Sequence, residues 1–213
     1  MLLNDTDKTI EIPLKKIVLN GNLSVPANAR ALVIFSHGSG SSRLSPRNNY
    51  VANVLKQEGL ATLLFDLLTE KEDLIYKTRF NIELLTRRLI AVTEWIHKQE
   101  KIKGLSLGYF GASTGAASAL AAAAFFGDQI SAVVSRGGRP DMVLSELDKV
   151  TAPTLLIVGE WDNVVIGLNQ KAYDKLTCER KLEIIPKATH LFAEEGKLEE
   201  VAALSAKWFS KYL

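Results

Sequence analysis

The segment Gly111-Ala112-Ser113-Thr114-Gly115 stands between an apolar run ending at Phe110 and the alanine-rich stretch Ala116 to Phe126. A strand that turns abruptly into a helix presses the positions two before and two after its apex against neighbouring backbone, so glycine suits both. The serine at the apex bears an unfavourable backbone conformation, and strain of that kind gathers at functional sites. The free amides of the helix N-terminus point at its oxygen, where negative charge develops during acyl transfer. A serine hydroxyl is a poor nucleophile until a base takes its proton, so a histidine has to reach Ser113.

Three histidines are available. His190 lies four residues beyond Pro186, after the strand pattern Lys181 to Ile185, which puts it at the sheet edge that also carries Ser113. Reactive groups of open α/β sheets collect at that edge. His97, beside Lys98, Gln99 and Glu100, reads as a solvated helix residue, and His37, next to Gly38, as a residue that shapes its loop by hydrogen bonding. A base needs a carboxylate to fix its tautomer. Asp162 leaves the strand Thr154 to Val158 through Gly159-Glu160-Trp161 and is the first choice, with Glu160 as its competitor in the same loop. The backbone amides of Thr114 and Ser39 are the expected oxyanion donors, Ser39 lying in the small-residue loop Ser36 to Ser41.

The elements that must position these groups are legible as a repeat. Two β patterns, Thr9 to Leu14 and Lys16 to Val25, interrupted by Pro13 and Asn20-Gly21, predict an antiparallel pair at a sheet edge. From Ala31 onward apolar runs alternate with helical periodicity, the signature of a mostly parallel sheet flanked by helices. Strands are expected at Ala31 to Phe35, Leu60 to Phe65, Leu105 to Phe110, Ile130 to Val134, Thr154 to Val158 and Lys181 to Ile185. Ser135 to Pro140 reads as an exit loop. A helix starts near Pro46 and ends at Gly59, a long one presents Ile82, Leu85, Leu89, Val92 and Ile96 on one stripe, and a last one carries Leu198, Val201, Ala202, Trp208, Phe209 and Tyr212 near one face that covers the sheet. Only 18 residues, Ser135 to Ala152, separate the sixth and seventh strand patterns, which leaves no room there for a lid domain. Residues 1–213 therefore read as one domain.

His37-Gly38-Ser39-Gly40, Gly111-Ala112-Ser113-Thr114-Gly115, the strand exit ending in Asp162, and Ala188-Thr189-His190 together resemble the α/β-hydrolase superfamily. The short chain without a lid domain is similar to the dienelactone-hydrolase-like branch. The resemblance runs from about Ala31 to the C-terminus and implies the fold, a triad of Ser113, Asp162 and His190, and an oxyanion hole from Ser39 and Thr114. Dienelactone hydrolases proper use a cysteine nucleophile, whereas position 113 is serine and Cys178 stands elsewhere.

Composition narrows the remaining classes. The 213 residues carry 26 basic and 24 acidic side chains, a net +2 that supplies no broad field for nucleic acid or an anionic membrane. Met1 to Lys8 lacks the basic and apolar regions of a secretion signal, and Ala116 to Phe126, the longest apolar stretch, falls short of the about 20 residues a span needs, so a cytoplasmic location is expected. Cys178 has no partner for a disulfide or redox pair, and no histidine or cysteine spacing suggests a metal. Gly38 to Ser42 follows a strand as a phosphate cradle would, but lacks GxxxxGK[ST] and GxGxxG. No cofactor is expected. The reading is a serine hydrolase acting on a small ester or lactone through an acyl-enzyme. Thioester hydrolysis and acyl transfer use the same apparatus, and a non-catalytic binder on the same fold is the principal alternative. Four arginines near the site, Arg43, Arg47, Arg136 and Arg139, either hold loops by pairing with acids such as Asp141 or Glu146, or bind a substrate carboxylate or phosphate.

Overall fold

The computed structural model describes residues 6–213. Of the segment Met1 to Lys8 considered above, Met1 to Asp5 lie outside the described residues. The strands are β1 (Thr6–Pro13), β2 (Val18–Val25), β3 (Ala31–Ser36), β4 (Ala61–Phe65), β5 (Ser106–Ala112), β6 (Ile130–Arg136), β7 (Thr154–Gly159) and β8 (Arg180–Ile185). They form one sheet in the order β1-β2-β4-β3-β5-β6-β7-β8. β1 and β2 run antiparallel to each other and β2 antiparallel to β4, while every later neighbour pair is parallel. This is the α/β-hydrolase architecture that the sequence predicts.

The described residues hold six α-helices, α1 (Pro46–Gln57), α2 (Glu70–Asp73), α3 (Ile82–Ile96), α4 (Thr114–Phe126), α5 (Asn163–Lys175) and α6 (Lys197–Tyr212). On one face of the sheet Leu85, Leu89, Val92 and Ile96 of α3 pack with Ala117, Leu120 and Ala123 of α4 against Leu32, Ile34, Leu107 and Tyr109. On the other, Val51 and Leu55 of α1 and Val201, Ala202 and Phe209 of α6 cover Val33, Phe35, Phe110, Val134 and Ile157. The alanines of α4 let that helix sit close to strands and neighbouring helix alike, since Ala116, Ala117, Ala119, Ala122 and Ala123 are all fully buried.

The chain steps outward from β3 to β4 and then returns to the far side of β3 as β5. Loops leaving β3 and β5 therefore part to opposite faces, and that switch point is where open α/β sheets place their ligands. The Ser36–Ser45 loop and Ser113 both belong to it.

Three segments depart from the sequence reading. Ser135 and Arg136 continue β6 rather than opening its exit loop, because a central strand with partners on both sides pairs polar residues as readily as apolar ones; Ser135 lies opposite Leu156 and Arg136 opposite Ile157. Asn20-Gly21 sits inside β2, and the turn falls at 14–17, where the Leu14 amide donates to Ile17 O. Gly21 is there because Ile10, Ile12 and Leu63 would meet a Cβ at 3.2–3.3 Å. α5 has no apolar stripe that would predict it, since its inward face is Val165, Asn169 and Ala172, with an asparagine in the middle. The 135–152 connection is filled by a kinked 3₁₀ segment, Pro140–Lys149, with no added domain. Additional structure lies instead between β4 and α3, where α2 and the 3₁₀ turn Tyr76–Phe80 lie beside the Ser36–Ser45 loop.

Candidate active site

Ser113 terminates β5 and caps α4 with φ 51° and ψ −122°, a conformation that L-residues rarely adopt. Its amide donates to Arg136 O at 3.1 Å, and its carbonyl accepts from the amides of Ala116 and Arg139 at 3.1 Å each, which ties the apex of the turn to the end of β6. The flanking glycines are sterically required. A Cβ on Gly111 would stand 2.4 Å from Ala116 Cα, and one on Gly115 would stand 2.1 Å from Ser36 O and 2.5 Å from His37 O. Gly38 makes a third close approach, with its would-be Cβ 3.0 Å from Ser113 Cβ.

His190 Nδ1 donates to Asp162 Oδ2 at 2.6 Å. A carboxylate at that distance favours the tautomer with its proton on Nδ1, which leaves Nε2 with a free lone pair. Asp162 occupies the N-cap position of α5, yet its side chain makes no capping bond and turns to the histidine instead. The usual N-cap contribution of an aspartate is thus forgone for the imidazole. Glu160, the competing carboxylate, accepts from the Lys187 amide at 2.7 Å and holds the loop that carries His190. Among the described residues no hydrogen bond joins Ser113 Oγ to His190; such catalytic bonds commonly tighten only as the Michaelis complex forms. The imidazole packs on Gly137, whose would-be Cβ lies 3.3 Å from Cε1 and 3.4 Å from Nδ1. Gly137 adjoins Arg136, the residue whose carbonyl receives the Ser113 amide, so the end of β6 and the residue after it touch both Ser113 and His190.

The Ser39 amide donates to Thr114 Oγ1 at 2.9 Å, so the two residues expected to supply the oxyanion donors are joined to each other. His37 shapes this loop: Nδ1 bonds Gly38 O at 2.9 Å and Nε2 accepts from the Leu67 amide at 3.0 Å. Burial holds its pKa below the usual imidazole value, and with both ring nitrogens engaged it has no capacity to act as a base. His97 caps α3 with its ring 6.2 Å from that of Phe126, away from the site. A cleft of about 480 Å³ opens beside the switch point, lined by His37, Ser41, Ser42, Arg43, Asp66 and Thr69 among others, but it contains no nucleophile with a free base.

The four arginines separate into two pairs. Arg43 donates its amide to Asp66 Oδ1 at 2.8 Å and pairs its guanidinium with the same carboxylate. Arg139 makes a two-pronged contact with Asp141 at 2.8 and 2.9 Å. Arg47 and Arg136 have no carboxylate within ion-pair distance among the described residues. Cys178 is half-buried with Sγ 3.8 Å from Thr154 Oγ1, and burial raises its pKa, the opposite of an activated thiolate. Among the described residues no group of three or more histidine, cysteine, aspartate or glutamate side chains is arranged to hold a metal, and no helix is long and apolar enough to cross a membrane.

A sheet with this strand order and a serine on its central turn defines an α/β-hydrolase. Residues 20–212 match the model of the dienelactone hydrolase family, and the chain belongs to that family. A dienelactone hydrolase from Anabaena variabilis is 49% identical and superposes with a TM-score of 0.95 over 98% of this chain and 99% of its own. Est1E from Butyrivibrio proteoclasticus shares the fold at 20% identity, TM-score 0.82, over 95% of this chain and 98% of its own. Two Mycobacterium tuberculosis proteins provisionally named phosphoribosyl transferases are 51% identical over 97% of this chain. The chain spans 47% of their length, about half of the curated relatives it matches.

Proposed function

We propose that the protein is a serine hydrolase of small carboxylic esters or lactones, working through an acyl-enzyme. The observation that carries this reading is the Asp162–His190 bond of 2.6 Å, made by an aspartate that forgoes its helix cap, at the sheet edge where Ser113 sits strained on its turn. His190 Nε2 takes the Ser113 hydroxyl proton as Oγ attacks the substrate carbonyl carbon. The carbonyl oxygen becomes an oxyanion held by the Thr114 amide and by the Ser39 amide, which it draws from Thr114 Oγ1. Collapse expels the alcohol, which leaves with the proton from His190. Water then gives its proton to His190, attacks the acyl-enzyme and releases the acid, restoring Ser113. Asp162 remains ionised throughout and stabilises the imidazolium. The transferase name of the mycobacterial relatives belongs to chains about twice as long, and no step here calls for a phosphoribosyl donor.

Ser113→Ala tests the reading on purified protein. Turnover of a short-chain nitrophenyl ester should fall about 10³-fold or more with the circular dichroism spectrum unchanged, since the oxyanion hole alone leaves only residual catalysis. Near-parental turnover in that variant would contradict it, and a binder on this fold would show no turnover in the parent either.

A further inference from the structure

Arg47 and Arg136 are the two of the four arginines left without a carboxylate among the described residues. Arg136 is 6% exposed, donates from Nη2 to Asn48 Oδ1 at 3.0 Å, and has its Nε buried with no partner. Arg47, half-buried one residue before Asn48, likewise has a buried Nε with no partner. The two guanidiniums repel: burial first, and then the charge of Arg47, pull the Arg136 pKa down to about 10. Arg47 is the second residue of α1 and Arg136 reaches the Asn48 side chain in the same first turn, which contains no acidic residue, so the positive end of that helix adds to their charges rather than offsetting them. A cation withdrawn from water is costly unless a counter-charge meets it, and the neutral oxygen of Asn48 supplies only part of one.

Position ties this pair to the chemistry. The carbonyl of Arg136 holds the Ser113 amide, the next residue packs under the His190 imidazole, and the Arg136 guanidinium carbon lies 6.0 Å from the ring of Phe192, two residues beyond the histidine. Phe192 is buried and sits at φ 55°. Arg47 gives the pair its opening to solvent. Two like charges beside a helix N-terminus call for more than one negative charge, and a phosphomonoester carries about −1.5 to −2 at neutral pH on three acceptor oxygens. The planar fork of arginine matches those oxygens.

We propose that Arg47 and Arg136 form a dianion subsite beside the triad that takes the phosphate group of a phosphorylated ester substrate. The assignment of the reacting ester rests on the hydrolase reading above; the binding of the dianion does not.

The test combines binding with turnover. Thermal melting in inorganic phosphate, against chloride at equal ionic strength, should raise the Tm of the parent by several degrees, and Arg47→Gln should abolish the rise. Nitrophenyl esters of phosphoglycolate, succinate and butyrate then present two, one and no charges to the site. In the parent, kcat/KM for the phosphorylated ester should exceed that for the butyrate by at least about tenfold, and in Arg47→Gln the ratio should fall toward one. Arg47 is half-exposed, so its variant serves even where Arg136→Gln fails to fold. Equal turnover of the three esters with no phosphate effect on melting would overturn the subsite, and a preference for the succinate over the phosphorylated ester would overturn its dianion character. If the parent cleaves none of the three while phosphate still raises Tm through Arg47, the hydrolase reading fails and the subsite stands.

Discussion

The turn that carries Ser113 and the loop that carries His190 reach the same edge of the sheet by different physical means. The serine turn is held by exclusion. Gly111 and Gly115 lie so close to neighbouring backbone that no side chain fits, and the chain around Ser113 is buried on nearly every side. The histidine loop is held by polar contacts on an exposed rim: Glu160 O ε2 takes the Lys187 amide, Glu194 takes the Thr189 amide at 3.1 Å, and Trp161 donates its amide to Ala188 O at 2.9 Å. His190 itself keeps 38% of its side chain exposed, against 16% for Asp162. In the proposed mechanism the nucleophile has to be fixed in position, whereas the base has to turn between oxygen atoms during the cycle, and packing and hydrogen bonding respectively would serve those needs.

That contrast is sharpened first at the polar side. Asp162→Asn should leave the fold intact and lower kcat by about 10³- to 10⁴-fold, because the amide no longer fixes the His190 tautomer. Steady-state kinetics beside an unchanged melting curve would show it, and a loss below tenfold would mean that Asp162 does not orient the base.

The next comparison sets two glycines against each other. Gly115→Ala places a methyl group 2.1 Å from Ser36 O in the centre of the fold and should cost about 3 kcal/mol or more of stability in denaturant melts. Gly159→Ala places one 2.3 Å from Ala188 O, at the base of the histidine loop. Ala188 is buried, but Lys187 and Thr189 on either side of it are exposed and can move, so activity should fall by more than stability does. The reverse ranking of the two variants would break the distinction between an excluded turn and a hydrogen-bonded loop.

The smallest effect concerns acid. Burial lowers the pKa of His37, so the folded protein keeps this ring neutral while the unfolded chain takes up its proton near pH 6.5. The stability associated with the neutral ring is present above that pH and is lost as pH falls below it. His37→Gln should have a flatter stability profile between about pH 6.5 and pH 5, measured by chemical denaturation; an unchanged slope would show that His37 is not the group responsible.

Much of this arrangement was legible in the chain, and the part that was not has physical causes. Ser113, Asp162 and His190 each follow a strand pattern, so their shared edge could be inferred from strand order alone. The division of the arginines could not be: Arg43 finds Asp66 across 23 residues of sequence, a partner that only the adjacency of β3 and β4 supplies. Arg136 was read as a loop residue because its polarity masks the end of a buried strand. α5 escaped for the same reason, with Asn169 buried at the middle of its inward face and bonded to Gly138 O. In each case a buried polar residue imitates a surface one.

The most direct test of the central claim is covalent. Incubation with a fluorophosphonate probe, followed by peptide mass mapping, should place one adduct per chain on Ser113, with no adduct in Ser113→Ala and labelling slowed at least about 10²-fold in His190→Ala. A parent protein that takes up no probe, or takes it up at a residue other than Ser113, would contradict the account.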